Sequence, residues 1–434
     1  MCVGFIPFAS HAADWPQWLG PRRDSVWTET GILDKFPTNG PVVRWRAKVG
    51  GGFSGPAVAN GRVYLMDRQL AGGAKNPSDP FARGSSIPGT ERVLCLNEAD
   101  GTVSWHHDYD CPYTISYASG PRATPTVSGG KVYALGAEGQ LHCLDAMTGK
   151  LVWSRDFKTE FGISTPVWGF AGHPLVDGGR LICLVGGDGS TAVAFDKETG
   201  KELWRSLTAK EPGYCPPTMI EVGGKPQVVI WHPESVNGLD PDTGKLLWSV
   251  PSTVRSGLTI PTPRQVGNRL FITSFYDGSL MLDLNGKQPE VIWRSKKSSE
   301  KDTDGLHAIM CTPFVEAECL YGVCSYGQLR CLKVTSGDRV WESLTAATNG
   351  QETRWGNAFI VKNGGRFFLF NEKGDIIIAR LTPGGYEEIS RAHLIDPTNS
   401  DPGRPVVWSH PAFANRCIFA RNDLEIVCAS LAAR

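Results

Sequence analysis

Short apolar runs of four to seven residues recur from about Phe53 to the end of the chain, each broken by a glycine-rich turn. Lys131-Val-Tyr-Ala-Leu-Gly136, Arg180-Leu-Ile-Cys-Leu-Val185, Arg269-Leu-Phe-Ile-Thr-Ser274 and Cys319-Leu-Tyr-Gly-Val-Cys324 are typical. Before such a run comes a proline-containing lead, as at Thr124-Pro125, Pro216-Pro217, Thr262-Pro263 and Thr312-Pro313. After it comes a turn with an acidic residue before glycine, as at Glu138-Gly139, Asp188-Gly189 and Asp277-Gly278. Runs this short, β-branched and aromatic, bounded by Gly and Asx turns, predict strands joined in hairpins. Helical periodicity is nearly absent.

Alignment on tryptophan exposes an internal repeat. Asp145-Ala-Met-Thr-Gly149-Lys150-Leu-Val-Trp153 is matched by Asp196-Lys-Glu-Thr-Gly200-Lys201-Glu-Leu-Trp204 and by Asp240-Pro-Asp-Thr-Gly244-Lys245-Leu-Leu-Trp248. Looser copies run from Asn97 through Gly101 to Trp105 and from Lys333 through Gly337 to Trp341. A copy from Asp283 to Trp293 carries two extra residues, and one from Arg380 to Glu388 keeps Gly384 without the tryptophan. Successive tryptophans from Trp105 to Trp341 lie 48, 51, 44, 45 and 48 residues apart. A period near 45 fits one four-stranded propeller blade per repeat.

Counting these units predicts an all-β, eight-bladed β-propeller over residues 42–434. Blade one begins near Phe53 and carries an insertion at 69–90. Blades two to seven begin near Pro121, His173, Cys215, Pro261, Cys311 and Trp355. The last begins near Trp408 and has three strands of its own, so Val42–Val49, which holds Trp45 and has no blade, is expected to supply the fourth and close the ring. Residues 13–41 are an N-terminal extension. Residues 1–12 end in Ser10-His11-Ala12 and read as a signal-peptide remnant without its basic start, which points to export to the periplasm or cell envelope.

Composition sharpens this. The chain has 434 residues with 50 Gly and 30 Pro, about 18% together against a usual ~12%. Lysine plus arginine and aspartate plus glutamate are each 44, so no basic footprint for nucleic acid exists. No apolar run approaches the ~20 residues needed to span a bilayer, which leaves peripheral association with the envelope. The 12 cysteines include no Cys-x-x-Cys and no adjacent pair. Cys95, Cys143 and Cys331 recur at one repeat position inside apolar strands, as small core residues do.

The repeat resembles the tryptophan-docking turns of the pyrroloquinoline-quinone (PQQ) dehydrogenase type of eight-bladed propeller. In that family the tryptophan packs flat on the glycine turn of a neighbouring blade. Asp14-Trp-Pro-Gln-Trp18-Leu-Gly-Pro-Arg-Arg-Asp24 is similar to the opening of exported PQQ-like proteins of planctomycete-type bacteria. The large quinoprotein dehydrogenases imply PQQ, Ca²⁺ held by Glu, Asn and Asp, and a vicinal Cys–Cys disulfide. This chain has no adjacent cysteines, and no triplet matches those calcium ligands by motif. Both PQQ and Ca²⁺ therefore stay open, and no metal site is assigned. The same propeller also serves as a non-catalytic scaffold in outer-membrane protein assembly.

In a propeller, the loops leading into the inner strands gather at one mouth of the channel. Here they are rich in aromatic, Arg and His residues: Arg122, Trp168, His173, Tyr214, Arg255, His307, Arg354, Trp355, Asn357, Trp408 and His410 are expected to line one funnel. His232, in a loop between second and third strands, falls on the same side. Rings beside directed donors suit a planar or sugar-like ligand. Glu138, Asp188, Glu234 and Asp277 read as turn chemistry, and Lys150, Lys201 and Lys245 as solvated. Two functions compete: a module binding a protein or carbohydrate partner, and a quinone-dependent oxidoreductase for alcohols or sugars.

Overall fold

A computed structural model describes residues 13–401 and 403–433, so the leader-like residues 1–12, with Cys2, lie outside the described residues. Eight four-stranded antiparallel sheets follow one another around a ring. Their inner strands begin at Ala57, Thr126, Leu175, Thr218, Arg264, Phe314, Ala358 and Ala412, two to five residues past the starts read from sequence. The difference is the lead itself, which enters the channel mouth before it joins a sheet. The ring closes through Val42–Lys48, which pairs antiparallel with Glu425–Ser430 from Val42↔Ser430 to Lys48↔Glu425. The first strand of the chain thus becomes the outermost strand of the last blade.

Every outermost strand carries a β-bulge at the residue before the tryptophan position, for example between the pairs Leu144↔Leu151 and Cys143↔Trp153. A bulge increases local twist and re-aims the next side chain, here toward the neighbouring blade. The Trp45, Trp105, Trp153, Trp204 and Trp293 rings lie over Gly101, Gly149, Gly200, Gly244 and Gly337 of the following blade. In each case the indole N–H donates to a carbonyl of the same turn, as from Trp45 to Glu98 O at 2.8 Å and from Trp204 to Pro241 O at 3.0 Å. The turns are built as the sequence suggests: Asp145, Asp196 and Asp240 accept from the backbone N–H groups two and three residues on and from the Thr148, Thr199 and Thr243 hydroxyls.

Trp248 departs from the pattern. It is buried, but its ring folds over Gly238 of its own sheet and its N–H donates to Gln227 Oε1 at 2.7 Å. The next blade's turn is the copy with two extra residues, and it offers no left-handed glycine to sit on. Trp341 reaches Thr382 O at 2.8 Å without a glycine beneath it, and Trp153 keeps part of its ring in solvent.

Three further differences bear on the site. The insertion in blade one shrinks to 71–88, because its hairpin strands extend over Arg62–Leu70 and Gly89–Asn97. The eleven cysteines among the described residues are all buried and unbridged. Most important, the N-terminal extension is part of the channel. Trp15 exchanges both backbone hydrogen bonds with Val58, Val127 N–H donates to Pro16 O, and Lys362 bonds Ser25 and Trp27. These three partners hold the same register position in three inner strands. A loop over 14–26 therefore plugs the channel and covers strand edges that would otherwise lie open.

Candidate functional site

The plug gives the funnel a floor. Thr124, His173, Thr262, Phe359 and His410 each sit four residues before the end of their inner strands, so register alone places them on one ring around the axis. Trp18 reaches the centre of that ring. Its indole N–H donates to Thr262 Oγ1 at 2.9 Å, its plane stacks on His173 at 4.0 Å and 14°, and it meets His410 edge-on at 4.9 Å. Arg23, five residues further along the plug, donates to the His173 and Pro174 carbonyls, and Arg264 donates to Arg23 O and Ser25 Oγ.

Above Trp18 lies a cavity of about 330 Å³. Seven of the eleven residues singled out in the sequence line it: Arg122, Trp168, His173, Tyr214, Trp355, Trp408 and His410. Four do not. Arg255 stays at the rim, donating to Ser298 Oγ and standing over Tyr276, while its neighbour Ser256 faces the cavity. Arg354 is paired with Glu300 and stacked on Trp355. His307 is wholly buried in the seam between blades five and six, with Nδ1 on Phe275 O. Asn357 is buried behind the wall. His232 closes its own hairpin on Ser235 and Glu234. The four misses share a cause: a lead of several residues alternates between channel and seam, and only the register decides which side chain turns inward.

Sequence reasoning missed Trp18, Phe53, Phe81, Tyr117, Tyr276 and Phe359. Phe81 arrives from the blade-one insertion, and Trp18 from a segment outside the repeat. The one available signal was two tryptophans within four residues, Trp15 and Trp18, in an extension that a solvated linker would not carry.

The chemistry of the lining is narrow. Rings dominate, and among the described residues no carboxylate lines the cavity. The half-buried Arg122 guanidinium lies over the Phe53 ring and donates to the carbonyls of Gly120, Ser116 and Tyr117. His173 Nδ1 accepts from the Thr124 N–H at 2.8 Å, so its proton sits on Nε2. His410 Nδ1 faces the Pro411 carbonyl at 2.6 Å and must donate, so its Nε2 keeps a lone pair. Burial depresses both imidazoles, His410 down to about 4 and His173 well below its usual range with help from the Arg23 charge. Both are neutral near pH 7. Tyr117, Ser256 and Trp355 hold φ at +53°, +58° and +60°. For non-glycine residues this costs about 1–3 kcal/mol each, strain that clusters at functional sites.

The donor set does not fit a calcium–quinone pair. Calcium wants six to eight oxygens with carboxylates among them, and the acids nearest the wall are committed elsewhere. Glu372 takes Arg404 and the Trp408 N–H, and Glu300 takes Arg354. Glu138, Asp188, Glu234 and Asp277 accept from Thr114, Thr208, Lys210 and Arg255. Among the described residues no group of three or more His, Cys, Asp or Glu is placed to hold a metal ion.

Comparison with known proteins gives two groups of relatives. The family model described as outer membrane protein assembly factor BamB matches residues 89–343 and 232–432. BamB of Burkholderia pseudomallei is 26% identical over 191 residues, 37% of this chain and 47% of that protein. Quinohemoprotein alcohol dehydrogenase ADH-IIG of Pseudomonas putida is 30% identical over 137 residues, 29% of this chain and 18% of that protein. The chain thus spans less than half the length of these curated relatives. Among solved structures, BamB from Moraxella catarrhalis aligns with a TM-score of 0.55 at 16% identity, covering 90% of this chain and 98% of its own. Quinohemoprotein alcohol dehydrogenase from Comamonas testosteroni aligns with a TM-score of 0.62 at 13% identity, covering 97% and 81%. At such identities the structural likeness speaks for the fold.

Proposed function

Because the chain belongs to the propeller family described as outer membrane protein assembly factor BamB, we propose that it is an exported binding module of the cell envelope whose aromatic funnel receives a group of its partner. The observation that carries this reading is the lining: stacked rings, two neutral imidazoles and an arginine already bound to the backbone. Such a wall recognises shape and apolar surface, and it lacks a charged group poised for acid–base work. A sugar would require several side-chain donors and acceptors, so a protein or small-molecule partner suits the wall better than a carbohydrate. No described helix is long and apolar enough to cross a membrane.

The second reading, a quinone-dependent oxidoreductase, draws on the named dehydrogenase relatives and on the flat Trp18–His173 stack. Incubating the purified chain with PQQ and Ca²⁺ and following dye-linked oxidation of alcohols and sugars separates the two. The binding reading expects no quinone-dependent turnover. Saturable turnover that requires both additions would replace it with the oxidoreductase.

A further inference from the structure

The two histidines of the funnel carry opposite hydrogen-bonding polarity. The Thr124 N–H fixes His173 with its proton on Nε2, and the Pro411 carbonyl fixes His410 with a bare Nε2. Both rings lie against the same indole, Trp18, at 4.0 and 4.9 Å. The indole is itself pinned at Thr262, and it is supplied by the plug, so the chamber has this floor only while the N-terminal loop is seated.

A hydroxyl group both accepts and donates, so one hydroxyl can satisfy both imidazoles at once. The remaining wall is apolar and aromatic and offers no carboxylate to a cation. Its guanidinium, Arg122, already commits three of its five N–H donors to carbonyls of its own chain. A charged ligand would therefore lose its hydration with little replacement. The cavity of about 330 Å³ lies at the small end of ligand pockets, room for one or two fused rings.

We infer that the chamber binds an uncharged, hydroxylated aromatic ring, laid over Trp18 with its hydroxyl between His173 Nε2–H and His410 Nε2. This rests on the funnel being the binding site. A free phenol and a tyrosine side chain of a partner present the same chemistry.

Calorimetric titration of the full chain tests the inference with 2-naphthol, 2-naphthoate and N-acetyltyrosinamide as probes. Binding of 2-naphthol identifies a free ring, and binding of N-acetyltyrosinamide alone identifies a side chain. In both cases Trp18→Ala and His410→Phe should weaken binding at least tenfold, while Trp18→Phe, which keeps a stacking face, should lose less. Melting temperatures identify any variant that has lost its fold, and Trp18→Phe carries the test if Trp18→Ala does so. Equal or tighter binding of 2-naphthoate overturns the uncharged-ring assignment and leaves the funnel standing as the site. Hydroxyarene binding that ignores all three substitutions places the ligand elsewhere and overturns it too. No binding of any probe also overturns it, whereas the quinone assay judges the binding-module reading independently.

Discussion

Gly200 and Gly189 share a left-handed φ of +70° and differ in what lies above them. A Cβ on Gly200 would fall 2.6 Å from the Trp153 ring, whereas one on Gly189 would meet nothing within 4 Å. Replacing either by alanine pays the left-handed strain of about 1 kcal/mol, and only Gly200→Ala also displaces a docked indole. Urea unfolding should show Gly200→Ala as the more destabilised by at least about 1 kcal/mol, and equal losses would deny the docking any energetic weight. Histidine adds a pH dependence. His410 titrates near 4 in the fold against about 6.5 when unfolded, so the unfolded chain takes up its proton first. Stability from this group is full above about pH 7, declines as pH falls from 6.5 to 4, and levels off below, by up to about 3 kcal/mol. Melting curves across that window should be flatter for His410→Phe than for the native chain; parallel curves would mean that His410 is not the sensitive group. The repeat glycines and aspartates were readable from sequence because the turn geometry is local. The fate of Trp248 was not, since it depends on two residues inserted in a different blade.

At the level of elements, the N-terminal segment performs two separable tasks. Residues 14–26 plug the channel and bring Trp15 and Trp18 into it, while Val42–Lys48 completes the last sheet and docks Trp45 on Gly101. Deleting residues 1–36 should open the channel and lower the melting temperature, yet leave one cooperative transition, because the ring remains closed. Deleting 1–50 also bares the Glu425–Ser430 edge and removes a buried tryptophan, a change of about 3–5 kcal/mol for the side chain alone. Calorimetry should then show a broadened, much lower transition, and identical melting of the two truncations would mean that the closing strand contributes nothing. The strand was legible because it carries a tryptophan and lacks a blade. The plug was not, because its contacts are scattered over several blades, from Val58 and Val127 through Thr262 and Lys362 to His410.

For the whole molecule, periodicity determined nearly everything that is local or repeated. Blade number, hairpin turns, the Asp–Gly–Trp motif and the closing strand follow from spacing, since each blade is one supersecondary unit that meets only its neighbours. The sequence also marked the loops of the funnel and seven of its lining residues. Tertiary structure alone decided which lead residues face the channel, because alternation in a strand makes the inward side a matter of register. It also decided that the funnel has a floor: Trp18, Phe81 and His410 lie far apart in the chain and converge only when the ring shuts around the inserted loop. The hydrogen-bonding polarity of the two imidazoles belongs to that same level, for it is set by a backbone N–H at Thr124 and a carbonyl at Pro411 whose directions exist only in the folded propeller.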